Sequence, residues 1–428
     1  IAEGFIQCEK HGKSLFELGE SYFNELINRS MIQPIHRDRD DMIQGCHIHD
    51  MVLDLICSLS REKNFINLPN DMDRSSAPNT TRRLSLQSGK ESYVMDQATR
   101  SLQHTRSVVV FPSVVALVAA LGSFGVLRVL DLSLIKYLGN LYHLRYLGIR
   151  NTSISHLPEE IGNLQFLQTL DVRHNPISRL PWSVVQLRNM MCLYIDNSTR
   201  VPNGIGNLTC LEQLSWLYID GSTLNIIEEL GQLTELRQLC IKLDKWNDKL
   251  SECLRKLQKI HELDILAPFG PHNIIGLDAW VAPHHLRLLI PDLTCLCITV
   301  RELHQVDLDI LGRLPALRSL SLVVDNKTLG ILEGFVVGAG SFPCLIYCNF
   351  WQSVWPLVFQ RAAMPRLRQL WLRALFYMRE ARGIASKDGG LDLGLGNLPS
   401  LQEVYVSVLC EGASKEETEQ AKDIDIFC

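Results

Sequence analysis

From residue 127 to residue 406 the apolar positions fall into one recurring frame, apolar-x-x-apolar-x-apolar. Leu127/Leu130/Leu132, Leu144/Leu147/Ile149, Leu167/Leu170/Val172 and Met190/Leu193/Ile195 open the series. It continues at Leu214/Leu217/Ile219, Leu236/Leu239/Ile241, Ile260/Leu263/Ile265, Leu293/Leu296/Ile298 and Leu317/Leu320/Leu322. Leu367/Leu370/Leu372 and Leu401/Val404/Val406 close it. From 144 the frames start at 167, 190, 214, 236 and 260, a step of 22 to 24 residues. Alternation within each frame predicts a short strand with one face buried. A second motif runs in phase: Leu157-Pro158-x-x-Ile161-Gly162-x-Leu164, then Leu180-Pro181-x-x-Val184-Val185-x-Leu187, then Val201-Pro202-x-x-Ile205-Gly206-x-Leu208. It predicts a tight return from one strand to the next.

A period of this length with this spacing is that of a leucine-rich-repeat solenoid, an α/β horseshoe with a parallel β-sheet on its concave face. One repeat cannot bury its own leucines, so neighbours must stack. Each buried Leu contributes about 1.5–3 kcal/mol. Asn175 stands where a buried amide would bond turn backbone. Regularity fails in places: the step from 127 to 144 is 17, the step from 367 to 401 is 34, and the frame at Leu345 holds Cys348 and Phe350. The outward x positions are the candidate ligand contacts: Arg145, Tyr146, Gln168, Asp171, Arg173, Tyr194, Trp216, Tyr218 and Arg237, with Arg128 and Asp131 ahead of them. Tyr, Trp and Arg are the side chains that anchor interfaces. Trp351, Trp355 and Trp371 gather late in the chain. Core and cap packing is the expected role of these three, with a binding platform as the other reading.

The first ninety residues do not repeat. Ser14 to Met31 has helical apolar spacing, Met31 to Ile35 reads as a strand, and Arg37 to Asp41 as a polar hairpin. A strand through Cys46-His47-Ile48 and an amphipathic helix from His49 to Ser60 complete a winged-helix pattern. The domain boundaries expected are 1–66 for the winged helix, 67–100 for a linker and start of the cap, 101–410 for the repeats and 411–428 for an acidic tail. The helix after the wing carries Asp50, Asp54 and Glu62 against Arg61 and Lys63, unlike a groove-reading helix.

Composition narrows the function. The 428 residues carry a net charge of −5, which gives no drive towards nucleic acid. No apolar run approaches the roughly 20 residues of a membrane span. The 13 cysteines show no zinc-site spacing and read as reduced thiols, fitting a cytoplasmic setting. Ile1-Ala2-Glu3-Gly4-Phe5-Ile6 has no signal-peptide character, so the N-x-[ST] sequons are discounted. No G-x-x-x-x-G-K-[ST] occurs: before Ser88-Gly89-Lys90-Glu91-Ser92 the first glycine is Leu84, and Glu91 replaces the hydroxyl residue. No catalytic constellation or metal set stands out, so no enzyme activity and no metal are expected.

Ile1-Ala2-Glu3-Gly4-Phe5-Ile6, Gly19-Glu20-Ser21-Tyr22-Phe23-Asn24-Glu25-Leu26-Ile27-Asn28-Arg29-Ser30 and Ile48-His49-Asp50-Met51-Val52-Leu53-Asp54-Leu55 resemble plant nucleotide-binding leucine-rich-repeat disease-resistance proteins, of the coiled-coil class as in grasses. Val300-Arg301-Glu302-Leu303 and Ile310-Leu311-Gly312-Arg313-Leu314-Pro315-Ala316-Leu317 add to the resemblance, which covers almost the whole chain. It implies that the first block is the winged-helix part of a nucleotide-binding module. Ile48-His49-Asp50 matches the family's Met-His-Asp motif, which implies an ADP phosphate contact for His49 and a helix-start role for Asp50. From the residues alone, a helix cap is the favoured reading of the pair. Partners implied are a pathogen effector or guarded host protein, and a nucleotide-binding module in cis or trans. ADP or ATP belongs to a full-length relative; this chain alone is expected to hold no cofactor. A non-functional truncated receptor fragment and a generic repeat scaffold are the competing readings.

Overall fold

The computed structural model describes residues 1–7, 14–36, 43–62, 82–86, 104–110, 126–131, 141–220, 224–243, 248–266, 292–300, 303–324, 335–351, 357–373 and 393–407. Helix α1 (Leu15–Asn28) opens on a capping box: Glu17 N–H donates to Ser14 Oγ at 3.2 Å and Ser14 N–H to Glu17 Oε2 at 3.0 Å. Strands β1 (Ile32–His36) and β2 (Ile43–Ile48) pair antiparallel, Ile32 opposite Ile48. Helix α2 (Asp50–Glu62) follows at once. Helix, strand, strand, helix is the predicted winged-helix order. The hairpin tip, the linker from 67 to 81, Trp355 and the tail from 411 lie outside the described residues.

The chain divides into two compact units. The first comprises Ile1–His36 and Ile43–Tyr218. After the winged helix it holds β3 (Arg83–Leu86), β4 (Ser107–Val110), β5 (Val129–Asp131), β6 (Tyr146–Gly148), β7 (Thr169–Asp171) and β8 (Cys192–Tyr194), all parallel, then β9 (Gln213–Ile219). Leu84, Val108, Leu130, Leu147, Leu170, Leu193 and Leu214 stand in register, one per strand. From Val108 onward each of these is fully buried, so the ladder of middle apolar positions is the core. Two strands precede the first sequence frame. The first of them, β3, falls within the stretch expected to be linker and cap start.

Register corrects one frame. Leu193 opposite Leu214 makes Leu211 and Leu214 the first two apolar positions of that repeat, so the step from Met190 is to Leu211. Leu217 and Ile219 are buried as well. The strand accommodates both sets because Trp216 adopts φ +58°, a left-handed conformation that bends it.

The second unit is chiefly Ile219–Cys428. Its strands are β10 (Gln238–Leu243), β11 (Glu262–Leu266), β12 (Cys295–Val300), β13 (Ser319–Val324), β14 (Phe335–Val337), β15 (Tyr347–Trp351), β16 (Leu357–Phe359), β17 (Gln369–Arg373) and β18 (Glu403–Ser407). Leu239, Leu263, Leu296, Leu320, Cys348, Leu370 and Val404 form the register here, while β14 and β16 pair apart from it. The weak frame at Leu345 is therefore a full repeat. Cys348 takes the leucine place, and complete burial pushes its thiol well up, leaving it a small hydrophobe. Returns differ between the units. In the first they are 3-10 turns at Glu159–Asn163, Trp182–Gln186 and Ile205–Asn207. In the second, helices α3 (Leu224–Leu230), α4 (Asp248–Leu254) and α5 (Gln305–Leu311) take that place, with one 3-10 turn at Leu395–Asn397.

Two polar details fix the turns. Asn175 Nδ2 donates to the Ile149 and Val172 carbonyls at 2.6 and 2.9 Å, and its Oδ1 accepts from Thr152 N–H at 2.8 Å. That is the predicted buried amide, tying adjacent repeats together. Gly162 is required by contact: a Cβ there would meet Ser183 Cβ at 2.7 Å, from the next turn along.

Candidate recognition surface

Strand residues flanking the buried leucine project onto the open face of the sheet. Asp171 is the exception among the candidates, with only 1% of its side chain exposed. Arg173 grips it with Nε at 3.0 Å and Nη2 at 2.7 Å, and Arg150 Nε donates at 2.6 Å. Burial alone would push the carboxyl up. The hydrogen bonds from Arg173 and Arg150 outweigh it and hold Asp171 below the usual carboxylate range. Asp171 is thus not a free ligand contact; it fixes two guanidiniums. Arg173 lies 4.6 Å over the Tyr194 ring, and Arg200 lies 5.6 Å over Tyr218. Burial pushes the Tyr194 hydroxyl up, and that hydroxyl hydrogen-bonds Gln213. Cys192, two residues earlier on the same side of β8, is pushed up to about 11 by burial, which disfavours its thiolate.

The remaining candidates divide by place. Tyr146, Tyr194, Trp216 and Tyr218 are all half-buried on the first unit's open face, with Gln168 at the edge of β7. Gln168 Oε1 is buried without a hydrogen-bond partner among the described residues. Arg237 belongs to the second unit, just before β10. Within the first unit the structure brings together Asp171, Arg173 and Tyr194.

Four arginines occupy the same frame position in consecutive repeats: Arg82, Arg106, Arg128 and Arg145. The Arg82 carbonyl accepts from Arg106 N–H, the Arg106 carbonyl from Arg128 N–H, and the Arg128 carbonyl from Arg145 N–H, each at 2.7 Å. The start of the winged helix reaches this row. Glu3 Oε2 pairs with Arg83 Nη2 at 3.0 Å, and both side chains are largely buried, at 17% and 13% exposed. The Glu3 carbonyl accepts from Arg128 Nη1 at 3.2 Å, and Arg83 stacks 4.9 Å from the Phe5 ring. Sequence reasoning missed Glu3, Arg83, Arg106, Arg150 and Arg200. Repeat frames extended back to residues 81 and 105 would have aligned the row.

His49 caps α2. Its Nδ1 accepts from Met51 N–H at 3.3 Å, its carbonyl accepts from Leu53 N–H at 2.8 Å, and Asp50 begins the helix. Both His49 and Asp50 are exposed. The ring's other nitrogen is free of that cap and could donate to a phosphate. Among the described residues, no glycine-rich cradle accompanies it.

The family model of the leucine-rich repeat region matches residues 104–424, and that of the disease resistance protein winged helix domain matches 1–56. The chain belongs to the plant leucine-rich-repeat disease-resistance proteins. Disease resistance protein RGA5 of Oryza sativa subsp. japonica is 27% identical to it, across 99% of this chain and 40% of that protein. PIK6-NP of the same rice is 28% identical, across 95% and 46%. RPP8 of Arabidopsis thaliana is 26% identical, across 95% and 47%. The chain spans less than half the length of these disease-resistance relatives. A leucine-rich-repeat protein of Leptospira interrogans superposes with a TM-score of 0.43 at 17% identity, over 76% of this chain and 83% of that one. Strand β3 precedes the matched repeat region. Among the described residues, no helix is long and apolar enough to cross a membrane.

Proposed function

We propose that this chain is the sensing and latching portion of a cytoplasmic innate-immune receptor. Its repeats recognise a pathogen effector or a guarded host protein, and in the resting state they hold the winged helix. The chain catalyses nothing itself. ADP or ATP is held by a nucleotide-binding module in cis or trans, with His49 reaching the phosphates once that module is present and Asp50 supporting the helix start. Ligand arriving on the open face competes with the resting contact and shifts the equilibrium towards release. The candidates for that encounter are Arg145, Tyr146, Gln168, Arg173, Tyr194, Trp216, Tyr218 and Arg237.

The observation that carries this reading is the largely buried Glu3–Arg83 pair, with the Glu3 carbonyl on Arg128. It ties the first residues of the winged helix to the first strands of the repeats within one compact unit. A charge swap tests it in a receptor that carries these residues together with a nucleotide-binding module. Glu3→Lys should give signalling without effector, and adding Arg83→Glu should restore the resting state. Quiet behaviour of Glu3→Lys, with normal accumulation of the protein, would sink the reading.

A further inference from the structure

Trp351 and Trp371, expected chiefly to pack a core or cap, instead stand on the second unit's open face. Tyr347, Gln369 and Glu403 are in register across β15, β17 and β18, and Asn349, Trp371 and Tyr405 form the next row. These two rows flank the core positions Cys348, Leu370 and Val404, so both project from the same face. The core beneath is filled by Phe350 and Leu372, each 2% exposed.

The Trp371 and Tyr405 rings stack with centroids 4.2 Å apart at 29°, and Tyr347 lies 6.5 Å from Trp371 at 50°. Tyr405 is 46% exposed. Glu403 closes one side: its Oε2 accepts from Gln369 Nε2 at 3.0 Å and from the Tyr405 hydroxyl at 3.3 Å. Two amide oxygens are left over. Asn349 Oδ1 and Gln369 Oε1 are buried and have no hydrogen-bond partner among the described residues. Asn349 is only 8% exposed, and its Nδ2 donates to Ser321 Oγ at 3.0 Å, which turns the oxygen away from that bond.

Aromatic faces attract a cation, a carboxylate attracts a cation, and an unpartnered buried acceptor lacks an N–H donor. One chemical group satisfies all three. We propose that the Tyr347–Trp371–Tyr405 cluster with Glu403, Asn349 and Gln369 is a binding site for an arginine or lysine side chain presented by a partner protein. The cation lies against the Trp371 and Tyr405 rings, and its N–H groups meet Glu403 and the two amide oxygens. A guanidinium suits the site better than an ammonium, because its planar donors spread over several acceptors and its face stacks on rings.

The inference rests on the receptor reading only in taking the ligand to be a protein. Its test is made on the purified chain, so failure here leaves the Glu3 contact untouched, and a failed charge swap leaves this site standing. The chain is titrated by calorimetry with acetyl-triarginine amide and, separately, with acetyl-triglutamate amide. Saturable binding of the arginine peptide alone is expected. Trp371→Ala should weaken it by about tenfold and Glu403→Gln by about fivefold, while Tyr405→Phe, which keeps the ring, should change it less than about twofold. Glu403 is exposed, so Glu403→Gln serves as the informative variant where Trp371→Ala disturbs folding. Equal binding of the glutamate peptide, or arginine-peptide binding indifferent to Glu403→Gln and Trp371→Ala, would overturn the proposal.

Discussion

Asp171 and Asp264 occupy equivalent positions in their repeats, yet their environments drive them in opposite directions. Asp171 is buried against two guanidiniums. Its lowered folded value means that its stabilising contribution is present above the unfolded carboxyl range and is lost as pH falls through the folded value. Asp171→Asn removes the charge and leaves Arg150 and Arg173 facing an amide. A loss of about 2 kcal/mol at neutral pH is expected, given the charged hydrogen bonds and the part-exposed arginines. Thermal melts at neutral pH and at about pH 3 check it; the difference from wild type should shrink at the lower pH. Asp264 lies between Cys240 and Cys297 in register. Burial pushes its carboxyl up from 3.8 to about 6, against a hydrogen bond with Cys297. For a raised carboxyl the sign reverses: stability falls as pH rises from the unfolded value to the folded one, then stays low. Asp264→Asn should therefore raise the melting temperature by a few degrees at about pH 7.5 and lose that advantage at about pH 4.

At the scale of elements, the strands are set by the buried ladder and the turns by single atoms. Gly162→Ala places a methyl group against Ser183, and a loss of about 1–3 kcal/mol in a urea titration is expected; a neutral result would mean the turns are loosely stacked. Trp216 tests the bend in β9. At φ +58° a β-branched residue is worse than tryptophan, so Trp216→Val should cost about 1–2 kcal/mol more than Trp216→Gly. Much of this level was legible in the sequence. Leu, Ile and Val at the fixed spacing placed most strands, and helical apolar spacing from Ser14 placed α1. The failures have physical reasons. Apolar spacing alone could not choose between Leu211/Leu214 and Leu214/Leu217, because all three leucines are buried and only backbone φ at Trp216 reconciles them. Thr81 and Thr105 stand at the first frame position, where the other repeats carry Leu, Ile or Met, so β3 and β4 escaped the frame. Asp171 looked like any outward polar residue, since nothing in its own repeat announces that Arg150 comes from the preceding one. The Glu3 contact joins residues 80 positions apart and carries no local signal at all.

At the scale of the whole molecule, the proposed recognition surface is the open face of the repeats, and the proposed holder of nucleotide is another module. Isothermal titration of ADP into the purified chain should show no binding tighter than about millimolar, because one exposed imidazole lacks the backbone amides that cradle phosphates. Micromolar affinity would require a phosphate site outside the residues discussed here. In the proposed resting state the repeats hold the winged helix through Glu3. A double-mutant cycle on the purified chain measures this most directly, with Glu3→Ala, Arg83→Ala and the pair compared by urea unfolding followed at the winged helix. A coupling energy of about 1–3 kcal/mol between the two side chains is expected, as befits a largely buried ion pair. Additive effects, with coupling near zero, would mean that the contact restrains nothing and would contradict the latch.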